Sequence, residues 1–274
     1  MIEKQTKAIL TIGIPFNTVA HMSGMETGPR QPPAGSRPRA ALAMDPALLP
    51  QLLDAAAWRR LRQTVDLVSA SAFDDFTEPA ALRALAEAEV LLTCWGCPPL
   101  TESVLAAAPR LRSIIHAAGS VKSHVTATCW ERGLSVSSAA AANAAPVAEF
   151  TVAMVLLANK QIWQAREEYR AVRGRHDWRT RFSTAGNFRR VIGVVGASHI
   201  GRHVIELLRP HDLRILVHDP YLTAEEAARL GVEAAELDTL CARSDVVTLH
   251  AQSCRRPGGR SRAGTWRPCG TAPL

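Results

Sequence analysis

The chain has 274 residues, 47% of them hydrophobic and 5% aromatic, with a formal net charge of +7. That apolar share supports packed cores and excludes wholesale disorder, and the length suits one large domain or two ordinary ones. The charge is uneven: residues 252–274 hold five arginines and no acid, residues 1–36 add one further positive charge, and the body between them is left at +1. A nucleic-acid-binding face would place its positive charge on a folded surface, so no nucleic-acid partner is expected. No run of eighteen uncharged apolar residues occurs, so no membrane partner is expected either. The six cysteines are scattered rather than framed for disulfides, which points to the reducing cytoplasm.

Residues 1–36 read as a disordered N-terminal extension. Lys4 and Lys7 precede a moderately apolar stretch, but Glu3, Pro15, Asn17 and Thr18 are wrong for a signal peptide. Met22 and Met25 offer later starts before the linker GPRQPPAGSRP. From Ala40 short apolar runs alternate with helical patterns. Strands are expected at Ala40–Met44, Val65–Val68, Val90–Thr93, Arg112–His116 and Leu134–Ser137. Helices are expected before Arg62, over Pro79–Ala88 and Thr101–Ala107, and over Val125–Arg132, which ends at Gly133. A long helical pattern runs from about Ala145 to Arg173 with a 3.6-residue period, and Gly174–Arg189 reads as a surface excursion. A second series follows: strands Val191–Val195, Arg214–His218 and Val246–Leu249, and helices Ile200–Leu208, Ala224–Leu230 and Leu237–Ala242. Such alternation predicts parallel βαβ units.

The sharpest motif is VIGVVGASHIGRHVIELL, a strand running through a Gly-rich turn into an amphipathic helix. Gly196 can make the tight turn, and Gly201 lets the helix pack closely on the sheet. The helix N-terminus, at Ser198, His199 and Ile200, offers free N–H groups to a diphosphate. Ser198 stands where a dinucleotide fingerprint prefers Gly. The next strand ends at Asp219, whose carboxylate can hold the ribose hydroxyls and repel a 2′-phosphate, so NAD is expected over NADP. A nucleophile elbow is the rival reading of Gly196-x-Ser198, but the closing Gly comes one residue late.

Smaller signals have bland readings. Cys94 and Cys97 have redox-pair spacing but no second pair at zinc spacing. His199 and His203 lie four apart on one helix without further ligands, so no metal site is named. The arginines from Arg166 to Arg190 are interleaved with Glu167, Glu168 and Asp177, as on a solvated face or dimer surface.

Four stretches, in order and at the right spacing, make the chain from about Arg39 to Ala251 resemble the D-isomer-specific 2-hydroxyacid dehydrogenase family. They are IIHAAGSVKSHV, ERGLSVSSAAAANAAPVAEFTVAMVLLANK, VIGVVGASHIG with ILVHDPYL, and DVVTLHA. The resemblance implies an α/β fold of two Rossmann-like or flavodoxin-like parallel-sheet domains with the active site in the cleft, the second, NAD-binding domain being incomplete. Residues 37–142 would form the substrate domain, residues 143–251 the NAD-binding domain, and residues 252–274 an aberrant basic tail. It implies backbone capture of a substrate carboxylate at Ala118, Gly119 and Ser120. It also adds Pro220 and His250 to the cofactor-contacting set of Gly196, Ser198, His199, Ile200, Gly201 and Asp219. The implied reaction is hydride transfer between NAD(H) and a 2-hydroxy or 2-keto acid, in a homodimer.

The family's catalytic Arg, acid and His follow the strand that DVVTLHA resembles, and none stands there in this sequence. Pro210-His211 and Arg175-His176-Asp177 lie elsewhere, so no catalytic residue is named. A non-catalytic NAD-binding remnant or regulator is the alternative. The tail has the composition of a GC-rich gene read out of frame. With codons assumed for Ala251 to Gly258, a shifted frame gives HAPELPETRG, which resembles how the family continues.

Overall fold

A computed structural model of the chain describes residues 8–10, 37–175 and 177–251. Residues 1–7 and 11–36, His176 and the basic tail, with the frame-shift reading attached to it, lie outside the described residues. The chain forms two compact units that divide between Pro146 and Val147. Strand β1 (Ala8–Leu10) belongs to the C-terminal unit.

The N-terminal unit is a five-stranded parallel sheet of β2 (Arg39–Ala43), β3 (Asp66–Phe73), β4 (Val90–Thr93), β5 (Ser113–His116) and β6 (Ser135–Ser138). Their order is β3-β2-β4-β5-β6. The connections run through α1 (Leu49–Leu52), α2 (Ala55–Thr64), α3 (Pro79–Glu87), α4 (Glu102–Ala107) and α5 (Ala127–Glu131). Alternate strand residues face opposite sides. Ala41, Ala43, Leu91 and Ile114 pack with Ala84, Leu85 and Leu105 of α3 and α4. Leu42, Met44 and Cys94 pack with Leu52, Trp58 and Leu61 of α1 and α2. Each fully buried Leu or Ile in these layers contributes about 1.5–3 kcal/mol. Helix starts are set locally: Asp54 accepts from the Ala57 amide at 2.7 Å, and Thr101 caps α4.

Helix α6 (Ala140–Asn159) begins five residues earlier than the periodicity predicts, because the alanine run before Pro146 is itself a strong helix former. Pro146 therefore lies inside the helix rather than in its first turn. The predicted single helix is broken at Gln161, whose φ of 52° is left-handed, and resumes as α7 (Ile162–Val172). At mean hydropathy 1.6, α6 is long and apolar enough to cross a membrane by length and composition. Its Ala148 and Val155 are buried in the core of the C-terminal unit.

The C-terminal unit continues with α8 (Trp178–Arg181), inside the expected surface excursion, then β7 (Val191–Val195), α9 (His199–Leu208), β8 (Arg214–His218) and α10 (Ala224–Leu230). A two-residue strand β9 (Glu233–Ala234), α11 (Leu237–Arg243) and β10 (Val246–Leu249) complete it. The sheet order is β1-β10-β7-β8-β9, all parallel. Ile192, Val194, Val217 and Val246 pack with Val204, Ile205 and Leu208 of α9. The other face carries Val195, Leu216 and Leu240. Within the extension expected to be disordered, Ala8–Leu10 instead pairs with Val246–Thr248. The physical reason is that the outer edge of β10 presents unpaired backbone groups, which an apolar tripeptide can satisfy.

Candidate functional site

At the C-terminal end of β7 the chain turns sharply. Gly196 has φ +96°, and a Cβ there would overlap the backbone of His250 and Ala251. A Cβ at Gly201 would overlap the Gly196 carbonyl oxygen, so α9 rests directly on the turn. Ser198 is the N-cap: its hydroxyl accepts from the Gly201 amide at 3.4 Å and donates to the His250 carbonyl at 2.9 Å. The residue that departs from the fingerprint thus ties the turn to the end of β10. Helix geometry leaves the amides of His199 and Ile200 without intrahelical acceptors, at the positive end of the helix dipole.

Asp219, just past β8, accepts from the Ala197 amide through Oδ2 at 2.6 Å and from the Tyr221 amide through Oδ1 at 2.9 Å. Pro220 lies between these two bonded positions. His250 bonds Thr248 Oγ1 through Nε2 at 3.0 Å, and burial pushes its ring down to about 4, so it is neutral at physiological pH. The structure thus gathers Gly196, Ser198, Gly201, Asp219 and His250 around one turn. A helix N-terminus beside a fixed carboxylate suits a dinucleotide: diphosphate on the amides, ribose on the carboxylate.

In the N-terminal unit, Ala118, Gly119 and Ser120 follow β5. Ala118 is buried, and a Cβ at Gly119 would come within 3.2 Å of the Asn143 side-chain nitrogen. Among the described hydrogen bonds, the Gly119 and Ser120 amides donate to nothing. Behind this loop lies a cluster that sequence reasoning missed. Thr93 Oγ1 bonds His116 Nδ1 at 2.9 Å and His124 Nε2 at 3.1 Å, and all three residues are at most 2% exposed. The two rings lie 4.6 Å apart, and His116 Nε2 is buried without a partner. Burial, with the neighbouring His124, pushes His116 down to about 4, and burial lowers His124. The one sequence signal available was that Thr93 and His116 each end a strand.

The other sequence candidates disperse. Cys94 and Cys97 are buried in separate core clusters, and burial pushes Cys97 up to about 12. His211 lies in the turn after α9, and Asp177 accepts from the Arg179 amide at 3.1 Å and from the Thr180 hydroxyl at 2.8 Å at the start of α8. Among the described residues no group of three metal-ligating side chains forms.

The C-terminal unit is therefore a Rossmann-like parallel α/β domain with a nucleotide-type turn. Residues 152–256 match the family described as D-isomer specific 2-hydroxyacid dehydrogenase, NAD binding domain. It is 33% identical over 170 residues to D-3-phosphoglycerate dehydrogenase of Mycobacterium leprae (strain TN), covering 62% of this chain and 31% of that protein. It is 34% identical over 120 residues to D-lactate dehydrogenase of Escherichia coli (strain K12), covering 44% and 35%. The chain thus spans about a third of the length of these curated relatives. Among solved structures, a phosphoglycerate oxidoreductase from Rhizobium etli superposes with TM-score 0.60 at 25% identity, over 78% of this chain and 66% of that one. A D-lactate dehydrogenase from Aquifex aeolicus, complexed with NAD and lactic acid, shares the fold with TM-score 0.59 at 21% identity, over 78% and 60%.

Proposed function

We propose that the chain binds NAD(H) at the β7–α9 turn and serves hydride transfer between that cofactor and a 2-hydroxy or 2-keto acid. The observation that carries the reading is Asp219: its carboxylate is fixed by the Ala197 amide beside the start of α9. In this reading Gly196, Ser198, His199, Ile200 and Gly201 hold the diphosphate through the helix start, Asp219 and Pro220 hold the adenosine ribose, and His250 flanks the turn. Bound NAD supplies the hydride acceptor. The amides at Ala118, Gly119 and Ser120 receive the substrate carboxylate, a charge-assisted contact. The 2-hydroxyacid class follows from the match of residues 152–256.

A second reading is a NAD-binding protein without turnover. It is favoured by one observation: among the described hydrogen bonds, no Arg, carboxylate and His join beside the turn, and His250 is held neutral against Thr248. Calorimetric titration with NADH, followed by NADH oxidation with a panel of 2-keto acids, separates the two. Binding with turnover supports the dehydrogenase, binding alone supports the second reading, and no heat with NAD or NADH overturns both.

The proposal includes a homodimer. Phe150, Leu157, Ile162, Trp163 and Val172 of α6 and α7 are each at least 38% exposed, an apolar surface that a second copy would cover. Equilibrium sedimentation of a monomer at micromolar concentration would refute it. A cytoplasmic setting is supported by Cys94, Cys97 and Cys129, which form no disulfide.

A further inference from the structure

The Asp219 end of the turn is wired into a charge network that NAD binding alone does not require. Ala197 is its centre. The Ala197 amide donates to Asp219 Oδ2 at 2.6 Å, and its carbonyl accepts from Arg202 Nε at 2.9 Å. Arg202, in the first turn of α9, also donates through Nη2 to Glu226 Oε1 at 3.0 Å. Glu226 is the third residue of α10 and closes a capping box with Thr223. The Thr223 amide and the Arg202 guanidinium hold the Glu226 carboxyl below the usual range, so it is charged at neutral pH. Arg202 and Glu226 remain 42% and 26% exposed, within reach of a ligand. A guanidinium thus stands one residue away from the carboxylate assigned to the ribose. Its charge is offset by Glu226, and its Nε is committed to the Ala197 carbonyl.

We propose that Arg202 and Glu226 are specificity-determining residues, with Glu226 restraining Arg202 so that the turn accepts NAD(H) and rejects NADP(H). This deepens the NAD reading and rests on it. A 2′-phosphate brings roughly −1.5 to −2 charges at neutral pH, and at this place it meets the Asp219 carboxylate. Arg202 is the cation of the network that could offset that repulsion, through paired N–H bonds to phosphate oxygens. While Glu226 holds it, Arg202 contributes little net positive field there. Glu226→Gln separates the charge from the structural role, because Gln at the third helix position serves a capping box as Glu does.

The test is calorimetric titration of the full chain with NADH and NADPH at fixed ionic strength. It compares the wild type, Glu226→Gln, Asp219→Ser with Glu226→Gln, and that double variant with Arg202→Ala added. The wild type is expected to prefer NADH. Glu226→Gln should leave NADH affinity within about twofold and improve NADPH affinity about tenfold, the scale of one hydrogen bond to a charged group. Adding Asp219→Ser should reverse the preference, and adding Arg202→Ala should abolish the NADPH gain. NADH binding in every variant, with no NADPH gain from Glu226→Gln, overturns the inference and leaves the NAD reading standing. A gain that survives Arg202→Ala overturns it as well. Loss of NADH binding in Glu226→Gln alone overturns it by placing Glu226 in the cradle itself. A wild type that binds neither dinucleotide sinks the NAD reading and this inference together.

Discussion

Asp219 commits each carboxylate oxygen to a backbone amide, Ala197 on one side and Tyr221 on the other. Its orientation is therefore set before any ligand arrives, and the oxygens keep further lone pairs for sugar hydroxyls. Asp219→Ala removes that acceptor and releases both amides. NADH affinity is expected to fall about ten- to a hundredfold, the worth of hydrogen bonds to a charged group, and thermal unfolding is expected to move down, because the buried Ala197 amide loses its acceptor. Titration calorimetry checks the first and a melting curve the second. Gly201→Ala acts differently, because the new methyl would collide with the Gly196 carbonyl. Overpacking of this kind costs about 1–3 kcal/mol, read by urea denaturation, and should abolish NADH binding by displacing the helix start. These residues were legible in the sequence because strand, turn, helix and acid follow one another along it. The contact between Ser198 and the His250 carbonyl was not, since only the pairing of β7 with β10 brings it about.

At the scale of elements, the ends of β4 and β5 share one buried hydroxyl. Thr93 supplies a single proton and its lone pairs to two imidazoles, so Thr93→Val leaves both ring nitrogens dry and unbonded. A loss of about 2 kcal/mol is expected in denaturant unfolding. The same pair makes the N-terminal unit sensitive to acid. His116 drops from an ordinary 6.5 to about 4 in the folded protein. Between those values the unfolded chain binds a proton that the folded chain refuses. The stabilising contribution is therefore intact above about pH 6.5 and declines as pH falls toward 4, by about 3 kcal/mol in all. His116→Gln should flatten the pH dependence of the unfolding midpoint over that window; an unchanged slope would show that other groups cause it. Periodicity could not reveal this cluster, because parallel register, not sequence proximity, sets Thr93 opposite His116. It also missed the corner at Gln161, where an apolar helical pattern continues on both sides of one left-handed residue.

For the whole molecule, each unit carries apolar layers on both faces of its own sheet. The N-terminal unit has apolar layers on both faces of its own sheet, so residues 37–146 are expected to fold alone. Dispersed amide NMR signals from that fragment would confirm it, and a collapsed spectrum would refute it. Two parallel α/β sheets were legible from the alternation of short apolar runs and helical patterns. The strand at Ala8–Leu10 was not, since three residues carry no period and their partner lies at the far end of the sequence. That distance governs the order of events during synthesis. Ala8 leaves the ribosome long before its partner Val246 is made. The loop-closure cost of such a pairing is met last. A growing chain would carry this strand unmatched until Val246 is made, a long interval during which a chaperone or a neighbouring nascent chain could claim it.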